Sequence, residues 1–313
     1  IFRELISRNK YELSLLLRPS RKNKKLFKSY KGTIDIIWGD ILNIEDVKKS
    51  VFNKDIVIHA AGALPDIALD NPNLAKLTNI DGTRNILNAM EEQKFNPKII
   101  YTSSTTVYNK SLENPIIKIS DPVNPNPYDV YSYTKIEAEK LIMKSGMDYC
   151  IFRILYVASV EAMRFRPIMF RISLDAPLEV IHVKDLARAI VNAIEIDKIW
   201  GKIFNIGGGK DWQVIYRDNI NDICEIMGLG RNFLPETAYA EKGFYCGIID
   251  AQETQDLQNL LNFQCHTLQD FYKELKKWIG FKRYLAPLIK PFLKWYILRK
   301  SEFYQKYKKM NEI

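Results

Sequence analysis

The chain predicts an α/β protein built on a doubly wound parallel sheet, with a smaller lobe towards its C-terminal side. Strand-length apolar runs alternate with helical patterns as far as about residue 209. The strand runs are nearly continuous in apolar residues, as expected where both faces of a parallel sheet are covered. Helix-length connections imply right-handed crossovers, and hence helices on both faces.

The elements follow in order. Ile1 to Arg8 reads as an amphipathic helix, with Ile1, Phe2, Leu5 and Ile6 on one side. Leu13 to Leu17 is a short strand ending at Arg18-Pro19, and Ile34 to Trp38 is a second, closed by Gly39-Asp40. A helix is expected near Glu45 to Val51. Ile56 to Ile58 forms a buried strand leading into His59-Ala60-Ala61-Gly62. A long helix follows from about Leu74 to Gln93, then a strand from Lys98 to Tyr101. A loop with Pro122, Pro125 and Pro127 leads to a helix carrying Tyr131 and Lys135, and Tyr149 to Ile154 is again a strand. Leu178 to Ile181 and Lys202 to Ile206 are further strands flanking a helix from Lys184 to Ile194. Residues 211–280 are mostly helical. The expected division is a dinucleotide-binding domain at 1–156 plus about 178–209, a substrate lobe at about 157–177 and 210–280, and a basic aromatic tail at 281–313.

Composition bounds the function. With 47% apolar and 27% charged residues in 313, the chain can bury a full core and is not disordered. The net charge of +9 resides in one place: from Lys276 to Ile313 there are eleven Lys/Arg against two Glu, and the other 275 residues balance. A basic tail on a neutral body does not indicate a nucleic-acid partner. The four cysteines (Cys150, Cys224, Cys246, Cys265) are scattered, which fits a reducing, cytoplasmic setting. The three histidines lack metal-ligand spacing, so no metal is expected.

The chemistry concentrates at one strand end and one helix. Thr102-Ser103-Ser104-Thr105-Thr106 follows an apolar strand, and Tyr131-Ser132-Tyr133-Thr134-Lys135 comes 27 residues after Ser104. Residues four apart on a helix share a face, so the phenol of Tyr131 and the ammonium of Lys135 can act together. A nearby cation favours phenolate, so the ammonium is expected to lower the phenol's pKa. The same Tyr-x-x-x-Lys spacing occurs at Tyr272–Lys276 and Tyr304–Lys308, neither with a serine-rich strand end at matching distance upstream.

In order and spacing the chain resembles the extended short-chain dehydrogenases/reductases, the NAD-dependent epimerase/dehydratase family. The matching pieces are Gly39-Asp40-Ile41, His59-Ala60-Ala61-Gly62, Asn79-Ile80-Asp81-Gly82-Thr83, Ser103-Ser104-Thr105-Thr106-Val107-Tyr108, and Tyr131-x-x-x-Lys135 with Glu139 beyond it. Arg153, His182-Val183-Lys184-Asp185 and Phe204-Asn205-Ile206-Gly207-Gly208 complete the set, which runs from Ile1 to about Gly209 with a weaker echo to about Trp278. The resemblance implies a Rossmann-like fold and a Ser-Tyr-Lys site of Ser104, Tyr131 and Lys135, acting with NAD(P) on a hydroxyl or carbonyl carbon of a small-molecule substrate. It implies that Asp40 and Ile41 flank adenine and that Ala60, Ala61 and Gly62 line the cofactor, with Tyr131 and Lys135 also touching it. Asn79 either acts there or ties strand ends together. Arg18 stands where an acidic residue would hold a ribose 2′-hydroxyl, and with Arg21 and Lys22 nearby it favours NADP. His182 and Asp185 are expected to anchor the domain junction rather than do chemistry.

Three departures from the family qualify these expectations. The glycine-rich turn that holds a pyrophosphate is not in the sequence. Residue 1 aligns beyond it, so the sheet is expected to lack its first strand and the grip on dinucleotide to be weakened. Tyr156 stands where nucleotide-sugar epimerases often have asparagine, and the stretch before His182 is short. A nucleotide sugar and a lipid-like carbonyl both stay open as substrates, as does a non-catalytic, dinucleotide-binding or scaffold role on the same fold. Trp278 to Leu298 mixes aromatic and aliphatic residues with Lys and Arg, interrupted by Pro287 and Pro291. Within it the run Tyr284 to Leu298 is too short to span a bilayer, and the segment fits either peripheral contact with an anionic membrane or docking and homodimer contacts.

Overall fold

A computed structural model describes residues 1–30, 32–243 and 245–311. Residues 312 and 313 of the predicted tail lie outside the described residues. The chain forms two compact units. The first comprises Ile1–Val107, Pro125–Arg153 and Ile190–Phe204; the second comprises Tyr108–Asn124, Ile154–Ala189 and Asn205–Ile313.

The first unit carries the parallel sheet, in two pieces. Ser14–Leu17 pairs in parallel with Asp35–Trp38, Leu17 lying opposite Trp38. A four-stranded sheet has the order Ile56–His59, Lys98–Ser104, Tyr149–Ile154, Lys202–Ile206, with His59 opposite Tyr101 in parallel register. Among the described residues no strand joins the two pieces. Burial follows this division. Ile99, Ile100 and Tyr101 are buried, whereas every residue of Ser14–Leu17 is only half-buried. Helices Ile44–Val51, Gly82–Glu91 and Val130–Lys144 pack their apolar stripes with the sheet into one core that includes Val47, Met90, Ile99, Ile142 and Ile151.

The helix expected from Leu74 to Gln93 is broken into Pro72–Lys76, a π-helical turn at Leu77–Asp81, and Gly82–Glu91. The turn has a cause in side-chain bonding. Asn79 accepts a hydrogen bond from the Ala63 backbone N–H at 2.6 Å and donates to Thr134 Oγ1 at 2.8 Å, pulling its carrier turn out of α-helical register.

The second unit pairs Pro177–His182 with Tyr156–Ala158 in parallel and with Gln213–Ile215 antiparallel. Helices Tyr216–Ile226, Ala251–Leu261 and Leu268–Ile279 follow, in line with the mostly helical character expected there. The prolines of the tail do not end its helix: Lys282–Leu298 is continuous, with Pro287 and Pro291 inside it. Pro287 cannot donate to the Arg283 carbonyl four residues back. Gly228, at φ 80°, comes so close to that carbonyl that a Cβ there would lie 2.0 Å from its oxygen, so the approach requires glycine. All four cysteines are free, and burial pushes the Cys224 thiol up to about 12.

Candidate active site

One face of the helix Val130–Lys144 reads the end of the strand Lys98–Ser104 residue by residue. The helix starts where it does because Asp129 caps it: its Oδ1 accepts from the Tyr131 N–H at 3.1 Å, and its other oxygen accepts from the Ser132 hydroxyl. With that start fixed, Tyr131, Lys135 and Glu139 recur every four residues along one stripe. Lys135 Nζ donates to the Thr102 carbonyl at 2.8 Å. Glu139 accepts from the Ser103 hydroxyl and forms a buried ion pair with Arg153 at 2.7 Å. The Ser104 hydroxyl lies near enough to the Tyr131 phenol to favour its ionised form, against the effect of burial.

Ser104 is prepared by its own loop. Its oxygen accepts from the Thr106 N–H at 3.3 Å and from the Thr106 hydroxyl at 3.1 Å. Both acceptor positions are thereby filled, which leaves the Ser104 proton to be donated. The three predicted residues are therefore together and buried: Ser104, Tyr131 and Lys135 are 7%, 7% and 5% exposed. The Lys135 ammonium lies 5.8 Å from the Tyr131 ring centre and 4.8 Å over the ring of Tyr101.

Electrostatics runs against one expectation. The Tyr131 phenol is pushed well above its ordinary range because burial disfavours the phenolate, and the Ser104 hydroxyl opposes this without reversing it. Burial first, and the nearby Asp129 charge after it, hold the phenol in its neutral form, the reverse of the acidic phenol expected from the Tyr131–Lys135 spacing. Burial also lowers the Lys135 ammonium, to about 8, with Glu139 opposing. Both groups are driven towards their neutral forms for the same reason.

The floor of this cluster is incompletely satisfied. His59 Nε2 sits 2.9 Å from Thr83 Oγ1, and the Thr83 hydroxyl donates to the Asn79 carbonyl at 2.6 Å. The Thr83 proton is thus committed, so Nε2 carries the His59 proton and Nδ1 is a bare acceptor. That Nδ1 and the hydroxyl of Tyr101 are buried and have no hydrogen-bond partner among the described residues. The His59 and Tyr101 rings lie 5.1 Å apart, and burial first, then Lys135, holds His59 neutral, down to about 3.

The predicted cofactor residues divide by position. Ala60 and Ala61 are exposed just beyond the strand Ile56–His59, and Gly62 follows. A Cβ on Gly62 would come within 3.2 Å of Asn79 Oδ1 and 3.5 Å of Lys135 Nζ, so bare backbone passes directly beside the ammonium. Asn79 is bonded to the Ala63 backbone and to Thr134, linking the loop after the strand Ile56–His59 to the helix Val130–Lys144. Arg18 and Asp40 follow the paired strand ends Leu17 and Trp38, and Arg18 is exposed. Asp40 Oδ1 accepts from the Leu42 N–H at 3.0 Å. Ile41 is buried against Gly82, and its carbonyl accepts from Asn85. No bond links Arg18, Asp40 or Ile41 to the Ser104–Tyr131–Lys135 group among the described residues. The control pairs stand elsewhere: the Tyr272 hydroxyl donates to Asn219 at 3.1 Å, and Tyr304 packs against an apolar core.

A second polar cluster, in the second unit, was not legible in the sequence. His182 and His266 stack with ring centres 4.2 Å apart. His266 Nδ1 meets Asp185 Oδ1 at 2.6 Å, and Asp185 Oδ2 accepts the backbone N–H groups of Cys265 and His266. His182 bonds Glu274 through Nε2, and its Nδ1 accepts from the Lys184 N–H. The ligand atoms of His182, Asp185 and His266 lie within 4.8 Å of one another. They are spent on Glu274, on one another and on the backbone, all within the second unit.

Residues 1–207 match the model of the NAD dependent epimerase/dehydratase family. The chain belongs to that family. A 3beta-hydroxysteroid-dehydrogenase/decarboxylase (isoform 1) of Arabidopsis thaliana is 30% identical over 146 residues, 45% of this chain and 33% of the relative. A dTDP-glucose 4,6-dehydratase of Mycobacterium tuberculosis is 33% identical over 113 residues, 36% of this chain and 34% of the relative. The chain thus matches about a third of the length of these curated relatives. Among solved structures, the UDP-glucuronic acid 4-epimerase of Bacillus cereus, in complex with UDP-glucuronic acid and NAD, superposes with a TM-score of 0.70 at 21% identity. It covers 88% of this chain and 93% of that one. The likeness establishes a shared Rossmann-type fold.

Proposed function

We propose that the protein is an NAD(P)-dependent oxidoreductase or epimerase acting on a carbon that bears a hydroxyl or carbonyl group. The observation that carries this reading is the convergence of Ser104, Tyr131 and Lys135 on one buried strand end whose surroundings have unmet hydrogen-bonding capacity. The residues fit a nicotinamide dinucleotide. Bare backbone at Gly62 lies beside the Lys135 ammonium, and exposed Ala60 and Ala61 give a smooth approach to it.

The bound nicotinamide supplies hydride transfer. In carbonyl reduction the neutral Tyr131 phenol gives its proton to the carbonyl oxygen. Burial keeps the phenol in its protonated form at neutral pH, the form this direction starts from. Ser104 donates to the same oxygen and fixes its orientation. Lys135 keeps two N–H groups beyond the one given to Thr102; these hold ribose hydroxyls, and its charge steadies the phenolate left behind. In the oxidative direction the phenolate takes the proton back from the substrate hydroxyl. Exposed Arg18, with Arg21 and Lys22 in the short helix that follows, favours the 2′-phosphate of NADP.

A nucleoside-diphosphate sugar is the first substrate reading, supported by the fold shared with the UDP-glucuronic acid epimerase. A sterol-like carbonyl is the second, supported by the likeness to the Arabidopsis hydroxysteroid dehydrogenase. The test combines calorimetric binding of NADPH and NADH with chromatography of products from UDP-glucuronic acid and from a sterol 4-carboxylate. Dinucleotide binding, tighter for NADPH, and turnover of one substrate class are expected. Absence of both binding and turnover overturns the reading.

A further inference from the structure

The helix Lys282–Leu298 is apolar on two opposite faces. Ala286, Leu293 and Ile297 pack into the core of the second unit. On the other side Phe281, Tyr284, Leu288, Phe292 and Trp295 recur at intervals of three and four residues and face solvent, Leu288 at 78%, Phe292 at 67% and Trp295 at 53% exposure. A stripe of large side chains of this length has no role in the fold, because the core beneath it is closed by the other face. The helix is also ringed by cations. Arg283 lies over the Tyr284 ring, Arg299 over Trp295 and Lys300 over Tyr296, at 4.9, 4.9 and 4.6 Å. No Asp or Glu occurs between Glu274 and Glu302.

We infer that this face docks on an anionic lipid bilayer, with the helix lying in the plane of the headgroups. Charge decides the occupant. Two copies meeting through this face would bring their basic rims together with no acidic partner in the segment. A surface of anionic headgroups complements the rim, and the acyl region accepts the stripe. Aromatic rings paired with Lys and Arg suit the headgroup level, where one end of a side chain is dry and the other wet. Length sets the mode. Seventeen residues make a helix of about 25 Å, shorter than the hydrocarbon core of about 30 Å. No helix among the described residues is long and apolar enough to cross a membrane. The contact is therefore interfacial, and it holds whatever reaction the first unit performs.

The test is flotation of the 313-residue chain with phosphatidylcholine vesicles containing phosphatidylglycerol, against the triple variant Leu288→Ser, Phe292→Ser, Trp295→Ser. The wild-type chain should float, and the variant should lose roughly tenfold or more in partitioning. Its melting temperature should be unchanged, because all three side chains are exposed. Vesicles of phosphatidylcholine alone should bind the wild type several-fold less. Brominated lipid should quench tryptophan fluorescence of the unmodified chain, a reading that needs no variant. Failure of the wild type to float, equal flotation of the variant, or no quenching overturns the inference. So does a wild-type dimer in sedimentation that the triple variant converts to monomer, since the face would then join copies of the chain.

Discussion

The polar cluster around Tyr131 and the one around His182 are built from the same materials: a buried aromatic or imidazole ring, a cation, a carboxylate and backbone groups. They differ in how completely they close. In the second unit Asp185 satisfies two backbone N–H groups and one imidazole, and His182 is bonded at both ring nitrogens. In the first unit the Tyr101 hydroxyl and His59 Nδ1 are left unpaired among the described residues, and Lys135 is buried with one hydrogen bond. Burying polar groups without partners costs stability, so a fold that keeps such groups is held to them by something other than stability. The closed cluster serves the fold, and the open one is where the proposed activity places its substrate and dinucleotide.

Opposite responses to substitution should expose the contrast. The largest stability effect belongs to Lys135. Burial of its ammonium lowers its pKa to about 8 in the folded chain, below the unfolded lysine at about 10.4. The folded state therefore binds the proton less tightly than the unfolded state. The destabilisation is fully present below pH 8 and is lifted as the pH rises from about 8 to about 10.4. Lys135→Met should stabilise the chain at neutral pH by up to about 3 kcal/mol, less the value of the Thr102 hydrogen bond. Its advantage over wild type should fade across that alkaline window, which urea denaturation at a series of pH values measures. An advantage that is constant with pH would remove the buried ammonium from the explanation. Asp185→Ala should act in the opposite direction. It strands the Cys265 and His266 N–H groups and should destabilise by about 2 kcal/mol, read in the same denaturation experiment. No loss would mean that the second cluster is not an anchor.

How much of this the sequence carried depends on distance along the chain. Ser104, Tyr131 and Lys135 were legible because a strand end and a four-residue helical spacing are local signals. The alternation of strands and helices was legible for the same reason. The direction of the Tyr131 shift was not, because the burial that raises it belongs to the packed site and not to the spacing along the helix. The second cluster joins Asp185 to His266 and His182 to Glu274, across 81 and 92 residues, which no short pattern reveals. The π turn at Leu77–Asp81 escaped because it arises from Asn79 reaching Ala63 and Thr134. The apolar content of the tail was plain, but only the structure separates the face that packs from the face that meets solvent.

The most direct measurement is turnover by Tyr131→Phe, with the dinucleotide and substrate pair that the wild type uses, normalised to folded protein by its melting curve. If the phenol transfers the proton, turnover should fall by about 10²–10⁴-fold with little change in melting temperature. Wild-type turnover in this variant would contradict the assignment and leave the open cluster without its function.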